Sequence, residues 1–213
     1  AKEITERYFR WEDFHYGVNR FSKGLFKKVC IANTAGALAI PLLNGDINSL
    51  SIVGAWLSII LFSLQIYFDF SGYSDMAIGI GKMLGFKFPE NFNYPYIAST
   101  ITEFWRRWHM SLSTWFREYV YIPLGGNRVS KKRHILNLLI VWSLTGLWHG
   151  AAWNFVLWGT YFGVLLIIEK YLIGEKIAKW HSAAQHIYTL VIAIISWVFF
   201  SRPGLSALTY IGA

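Results

Sequence analysis

The most constraining feature of the sequence is the apolar run from Ile135 to Ile168, ILNLLIVWSLTGLWHGAAWNFVLWGTYFGVLLII, whose one acidic, basic or histidine side chain is His149, near its middle. Arg128, Lys131, Lys132, Arg133 and His134 precede the run, and Glu169 and Lys170 follow it, so charge marks its ends and is nearly absent inside. Charges in hydrocarbon are costly and rare, so the pattern is that of a membrane segment. As a single helix these 34 residues would extend about 51 Å and put their two basic ends on opposite sides. Lys170, Lys176 and Lys179 read as cytoplasmic, like the block before the run, so the chain must enter and return, with a break near Gly150. Ile135 to Trp148 is then 14 residues, about 21 Å against a hydrocarbon core of about 30 Å. This places His149 within the membrane thickness.

Over 213 residues, a hydrophobic share of 54%, an aromatic share of 18% and a mean hydropathy of +0.36 exclude an ordinary soluble surface. The chain reads as polytopic and all-α, with transmembrane helices and amphipathic interfacial or re-entrant helices. The net charge of +8 does not point to nucleic acid, because the cations fall in short blocks between apolar runs, as in cytoplasmic loops. The lone Cys30 excludes an internal disulfide, offers no thiolate metal site and reads as a packing residue. The chain opens on Ala1 without a methionine and stops at Ile211-Gly212-Ala213 in ordinary sequence, so residues 1–213 are expected to be one fragment of a longer membrane domain.

In residues 1–28, Ile4, Tyr8, Trp11, Phe14, Val18, Phe21 and Leu25 recur three or four apart, with seven Lys/Arg and four Asp/Glu elsewhere. Two readings are open: a helix lying at the interface with its basic side on lipid headgroups, or an amphipathic helix packed on the rest of the protein. Residues 29–43 and Ile47–Phe68, separated by Asn44-Gly45-Asp46, read as two antiparallel spans with the N-terminal end in the cytoplasm. Asp69–Phe88 is glycine-rich and less apolar, and either packs inside a helix bundle or re-enters the membrane. Asp69 and Asp75 are six apart, off one helical face, and read as caps or buried structural partners, with no metal site expected. Gly79 and Gly81 lack the rest of a dinucleotide motif. Ile187–Phe200 is a further apolar run, short for a span and closed by Arg202-Pro203-Gly204. His181 and His186 read as loop residues.

Residues 89–127 mix aromatic and charged side chains most densely. From Thr102 a helical spacing puts Trp105, Trp108, Leu112, Trp115 or Phe116, and Tyr119 on one face, and Arg106, His109, Ser113 and Arg117 on another. The arginines can bind phosphates or headgroups, or extend their stems along the bilayer surface. His109 is a candidate second functional histidine beside the alternative of a hydrogen-bonded interfacial residue. Pro123 and Gly125-Gly126 end the helix. An ionisable residue inside a membrane is a functional hypothesis by default, and a neutral imidazole can take the proton from a hydroxyl attacking a thioester or ester. No Gly-x-Ser-x-Gly nucleophile elbow is present, so direct transfer with His149 as base fits better than a serine acyl-enzyme. A transporter or proton relay should show charged partners in other spans or inverted repeats, and neither is clear. A non-catalytic scaffold of a polysaccharide export complex would tolerate loss of His149.

YFDFSGYSDMAIGIGKMLGFKFPENFNYPY, then TEFWRRWHMSLSTWFREYVYIPLGGNR, then LTGLWHGAAWNFVLWG resemble, in this order, the membrane-bound O-acyltransferase (MBOAT) family, and most closely its bacterial alginate O-acetyltransferase membrane-subunit branch. The resemblance puts the family's active-site histidine on His149 and its second histidine on His109. It implies transmembrane helices around a thin centre, where a cytoplasmic acyl donor meets an extracytoplasmic acceptor. It further implies that His149 activates the acceptor hydroxyl while His109, with Arg106, Arg117 and Trp108 as donor contacts, holds the donor, acetyl-CoA or another acyl thioester. No bound cofactor is expected. The expected partners are the lipid bilayer, a polysaccharide (alginate or similar) or peptidoglycan acceptor, and a periplasmic or surface esterase-like acetyltransferase. The expected location is the bacterial cytoplasmic (inner) membrane.

Overall fold

A computed structural model describes residues 8–46 and 50–201. Ile4, Ile47 and the Arg202-Pro203-Gly204 stop lie outside them. Among the described residues the chain is helical without strands, and four helices are long and apolar enough to cross a membrane. This is an all-α, multi-pass membrane protein. It divides into two compact units, residues 1–92 and 93–213.

The first unit is a helical hairpin. Helix α1, Trp11–Asn44, is continuous through a π-helical turn at Lys27–Ala32, and α2 is Ile52–Met83. The amphipathic N-terminal segment and the first span are therefore one helix, not an interfacial helix followed by a span. Nothing between Phe26 and Asn33 breaks the backbone hydrogen bonding, and one extra residue is absorbed in the π turn. Helix α2 likewise runs through Asp69 and Asp75 to Met83, so this stretch packs as a helix and does not re-enter the membrane. Ser51 caps it, its hydroxyl accepting from the Gly54 N–H at 3.1 Å.

Glycine brings the two backbones together. A Cβ on Gly24 would stand 2.5 Å from the Gly72 carbonyl oxygen, and one on Gly79 would stand 2.6 Å from that of Gly17. Close approach of helices in a membrane requires such small residues. Around these contacts, Asp75 accepts from Arg20 (Nη2 to Oδ1, 2.7 Å) and from Lys27 (Nζ to Oδ2, 2.7 Å), while Lys28 pairs with Asp69 and Lys82 with Asp13. Both aspartates are thus structural partners of α1. Replacing Asp75 by Ala leaves Lys27 without its carboxylate and Arg20 with Glu90 alone (Nη2 to Oε2, 2.5 Å), and is expected to destabilise the hairpin by about 1–2 kcal/mol, less than a fully buried pair would lose. A lowered thermal midpoint of the purified protein checks this. Cys30, expected to pack, is exposed.

The second unit begins with a 3₁₀ turn at Pro95–Ile97, followed by α3, Ile101–Arg107, and α4, Met110–Phe116, which runs into a π turn at Arg117–Tyr121. The single amphipathic helix expected from Thr102 is broken at His109, whose backbone is left-handed (φ 47°, ψ 54°). Then come α5, Lys131–His149, α6, Trp153–Ile177 with a π turn at Glu169–Ile173, and α7, Ser182–Ser201. Helix α5, with Lys131, Lys132 and Arg133 in its first turn, is not among the four candidate spans. Helix α7 extends the expected 14-residue run to 20 residues and includes His186, which was expected in a loop. Its Nδ1 meets the Ala98 carbonyl oxygen at 3.2 Å, an anchor that no local pattern announces.

The expected return near Gly150 is present: α5 and α6 form an antiparallel hairpin joined at residues 150–152. Gly146 and Gly159 let them touch, since a Cβ on either would lie 2.2 Å from a backbone carbonyl oxygen of the partner helix, that of Phe155 or Trp142. Trp105, Trp142, Trp158 and Phe162 pack edge-to-face beside this contact, with Trp105 centred 4.8 Å from Trp142 and 4.7 Å from Phe162. The buried Asn154 amide donates to the Phe199 carbonyl oxygen at 3.2 Å, tying α7 to α6.

Candidate active site

His149 is the last residue of α5, where Gly150 leaves the helix in extended backbone (φ 164°). Its ring sits among aromatic rings, with centroids 4.9 Å from Trp148, 5.2 Å from Trp158 and 5.0 Å from Phe200. Trp158 is 1% exposed, so this wall is rigid. Trp148, by contrast, is 57% exposed.

His109 comes from the break between α3 and α4. A left-handed conformation is uncommon outside glycine and costs on the order of 1–3 kcal/mol, so the flanks must hold it. The preceding residues do so. The Asn93 N–H donates to the Arg107 carbonyl oxygen at 2.9 Å, and Arg107 donates to Glu103 through Nη2 at 2.6 Å. Burial works against the Glu103 charge, yet hydrogen bonds from the Ser99 N–H and hydroxyl and from Arg107 hold its pKa down at about 2. Trp108, 4% exposed, stacks on Phe104 with centroids 5.6 Å apart and meets Trp197 at 4.9 Å. The His109 ring then lies 6.1 Å from that of Trp148, with the Ser111 hydroxyl 3.4 Å from Nδ1.

Both histidines line one cavity of about 360 Å³. Along α5 its wall is His134, Leu138, Val141, Trp142, Thr145 and His149, a stripe that spans about 22 Å. Arg106, Trp108, Ser113 and Arg117 also line it. The sequence-expected polar face therefore does converge, although through a broken helix, and Trp108 joins it although a regular helix would have put it on the other face. Among the described residues, no aspartate or glutamate lines the cavity, and neither Arg106 nor Arg117 pairs with a carboxylate. The end remote from His149 is formed by Arg117, Tyr121, His134 and Lys170.

His134 was not singled out by sequence, where it closes a basic cluster. It is 2% exposed, with Nε2 2.8 Å from the Tyr121 hydroxyl and Nδ1 2.7 Å from that of Tyr171. Lys170 Nζ lies 3.4 Å from Nε2. An ammonium can only donate, which makes Nε2 the acceptor and Nδ1 the protonated nitrogen. The available signal was spacing: His134 starts the stripe on α5 that ends at His149. His181 precedes α7 and, like His186, lies outside the cavity. Among the described residues no cluster of three metal-ligating side chains occurs.

The class defined by these features is a helical membrane protein with two histidines at one end of a long cavity that is cationic at the other. The chain belongs to the membrane-bound O-acyltransferase (MBOAT) family, whose family model matches residues 4–212. It is 46% identical over 206 residues to the probable alginate O-acetylase AlgI of Pseudomonas aeruginosa, covering 95% of this chain and 39% of that protein. With its Azotobacter vinelandii counterpart, also a probable alginate O-acetylase AlgI, it shares 43% identity over 203 residues, covering 95% of this chain and 40% of that protein. It is 41% identical over 210 residues to the peptidoglycan O-acetyltransferase of Helicobacter pylori, covering 97% of this chain and 40% of that protein. The chain spans about two fifths of the length of these relatives.

Proposed function

We propose that the complete protein is an O-acetyltransferase of the bacterial cytoplasmic membrane, that residues 1–213 are part of one membrane domain of it, and that it moves an acetyl group from a cytoplasmic thioester towards a cell-surface polysaccharide hydroxyl. The observation that carries this reading is the shared cavity: His109 and His149 at one end, and cations without lining carboxylates at the other. A thioester such as acetyl-CoA lies along the cavity, its anionic part towards Arg117 and Lys170 and its carbonyl beside His109. Arg106 and Trp108 complete the donor's surroundings. The acceptor hydroxyl approaches past the exposed Trp148. Neutral His149 takes its proton as the oxygen bonds to the carbonyl carbon; the C–S bond then breaks, and the released thiolate takes that proton back from the imidazolium, giving ester, thiol and neutral His149. The final acceptor is alginate, a similar exopolysaccharide or peptidoglycan, in keeping with the similarity to alginate and peptidoglycan O-acetylating proteins, and a periplasmic or surface esterase-like protein carries the acetyl group on to it.

Sealed membrane vesicles containing the complete protein, given labelled acetyl thioester on the cytoplasmic face and glycan together with the periplasmic or surface acetyltransferase on the other, test the reading. New ester on the glycan is the expected result. Movement of label without ester formation would instead indicate a transporter. In the same assay His109→Ala is expected to lower the rate by about tenfold to a hundredfold, since it removes orientation of the donor and leaves the base in place.

A further inference from the structure

Glu169 lies 4% exposed in the π turn of α6 and does not line the cavity. Its Oε1 accepts from the Ile101 N–H at 2.6 Å, and its Oε2 accepts from the Thr102 N–H at 2.9 Å and the Thr102 hydroxyl at 2.8 Å. The Tyr188 hydroxyl of α7 stands 3.4 Å from Oε1. Ile101 and Thr102 begin α3, and the first N–H groups of a helix have no partner within it. Burying a carboxylate is unfavourable unless its hydrogen bonds are satisfied, and here both oxygens are.

The i→i+5 bonding of a π turn adds a residue to the turn, and π turns occur often at functional sites. Here the added residue lets three consecutive side chains serve the site. Glu169 faces α3, while Lys170 and Tyr171 reach His134. From Ile101 the path to the cavity is short and stiff. Helix α3 has seven residues, its last residue is held by Glu103, and Trp108 is clamped between Phe104 and Trp197 before His109 turns into the cavity.

We infer that Glu169 is a positioning residue for the reaction: its carboxylate sets where α3 starts on α6, and thereby where His109 stands. The inference rests on the acyl-transfer reading, because its effect is read through His109.

A double-mutant cycle in membranes carrying the complete protein tests it. Glu169→Gln keeps the size but turns one acceptor oxygen into a donor facing an N–H. It is expected to lower kcat by about tenfold to a hundredfold, the effect of a misplacement near 1 Å, with the donor KM within about twofold. In a His109→Ala background the same change is expected to lower kcat by less than about twofold, because the residue it positions is gone. Thr102→Val removes a single donor to Glu169 and runs through the same cycle. It is expected to lower kcat about threefold only when His109 is present, and Thr102→Ser restores the rate. If Glu169→Gln fails to accumulate, the Thr102 cycle decides. Equal fold losses with and without His109, or a raised donor KM at unchanged kcat, would overturn the inference while leaving the acyl-transfer reading intact. A His109→Ala protein with wild-type transfer would remove the role of His109 itself and this inference with it.

Discussion

His149→Ala in the complete protein is expected to reduce acetylation of surface polysaccharide by a factor of about 10²–10⁴, the usual contribution of a positioned general base. The loss should be chemical, not structural. The ring is half-buried, and its aromatic neighbours hold one another independently of it: Trp158 centres 5.4 Å from Phe162 and 5.2 Å from Phe200, and Phe155 centres 5.0 Å from Phe200. Alanine therefore opens a small gap at the tip of the α5/α6 hairpin without unpairing any hydrogen bond among the described residues. Membrane abundance should stay normal and donor binding should persist, because the cationic end of the cavity is about 22 Å away. Acetyl content of the polysaccharide, measured beside immunoblots of membrane fractions, checks this. Undiminished acetylation at normal abundance would remove the base and bring forward a scaffold of an export complex.

Gly159→Val is expected to destabilise the protein by about 3 kcal/mol or more, the upper range for overpacking, because the obstacle is backbone. The new Cβ would lie 2.2 Å from the Trp142 carbonyl oxygen and 3.0 Å from the Gly146 nitrogen, so no rotamer change relieves it. The helices would have to part, and the Trp105, Trp142, Trp158 and Phe162 cluster beside them would open. Gly163→Ala on the same helix is the matched comparison. Its Cβ would meet only side-chain atoms, the nearest the Trp142 Cβ at 3.1 Å. A few tenths of an ångström of adjustment there are offset by the helix preference of alanine over glycine, about 1 kcal/mol. Thermal midpoints of the two purified variants should therefore differ by many degrees, and only the valine variant should lose membrane abundance.

What the sequence made legible was periodicity and charge. The apolar run with basic ends located the α5/α6 hairpin and its break at Gly150, and the polar spacing of Arg106, His109, Ser113 and Arg117 located one wall of the cavity. What it left hidden depends on contacts between distant segments. The left-handed turn at His109 is held by Asn93, Glu103 and Trp197, none of them neighbours of His109 in sequence. His134 looks like one more surface cation until Tyr121 and Tyr171 close over it. Asp75 shows no local pattern that points to Arg20 and Lys27. One further signal is readable in the sequence: Gly17 and Gly24, and likewise Gly72 and Gly79, are seven apart, two helical turns on one face. That spacing marks the seam of the α1/α2 hairpin more directly than the Gly79-Gly81 pair.

The π turn of α6 carries its information in length as well as in composition. Restoring ordinary α-helical bonding by deleting one residue would leave the helix beyond it close to its present phase and remove only the widened turn itself. If Ile173 were removed, Glu169, Lys170 and Tyr171 would all still be present, yet the turn that presents them to α3 and to His134 would be gone. The spelling of the site would survive and the shape of the turn that displays it would not. A comparison that scores identity position by position sees such a deletion as a single gap, whereas the cavity would register it as the loss of one wall.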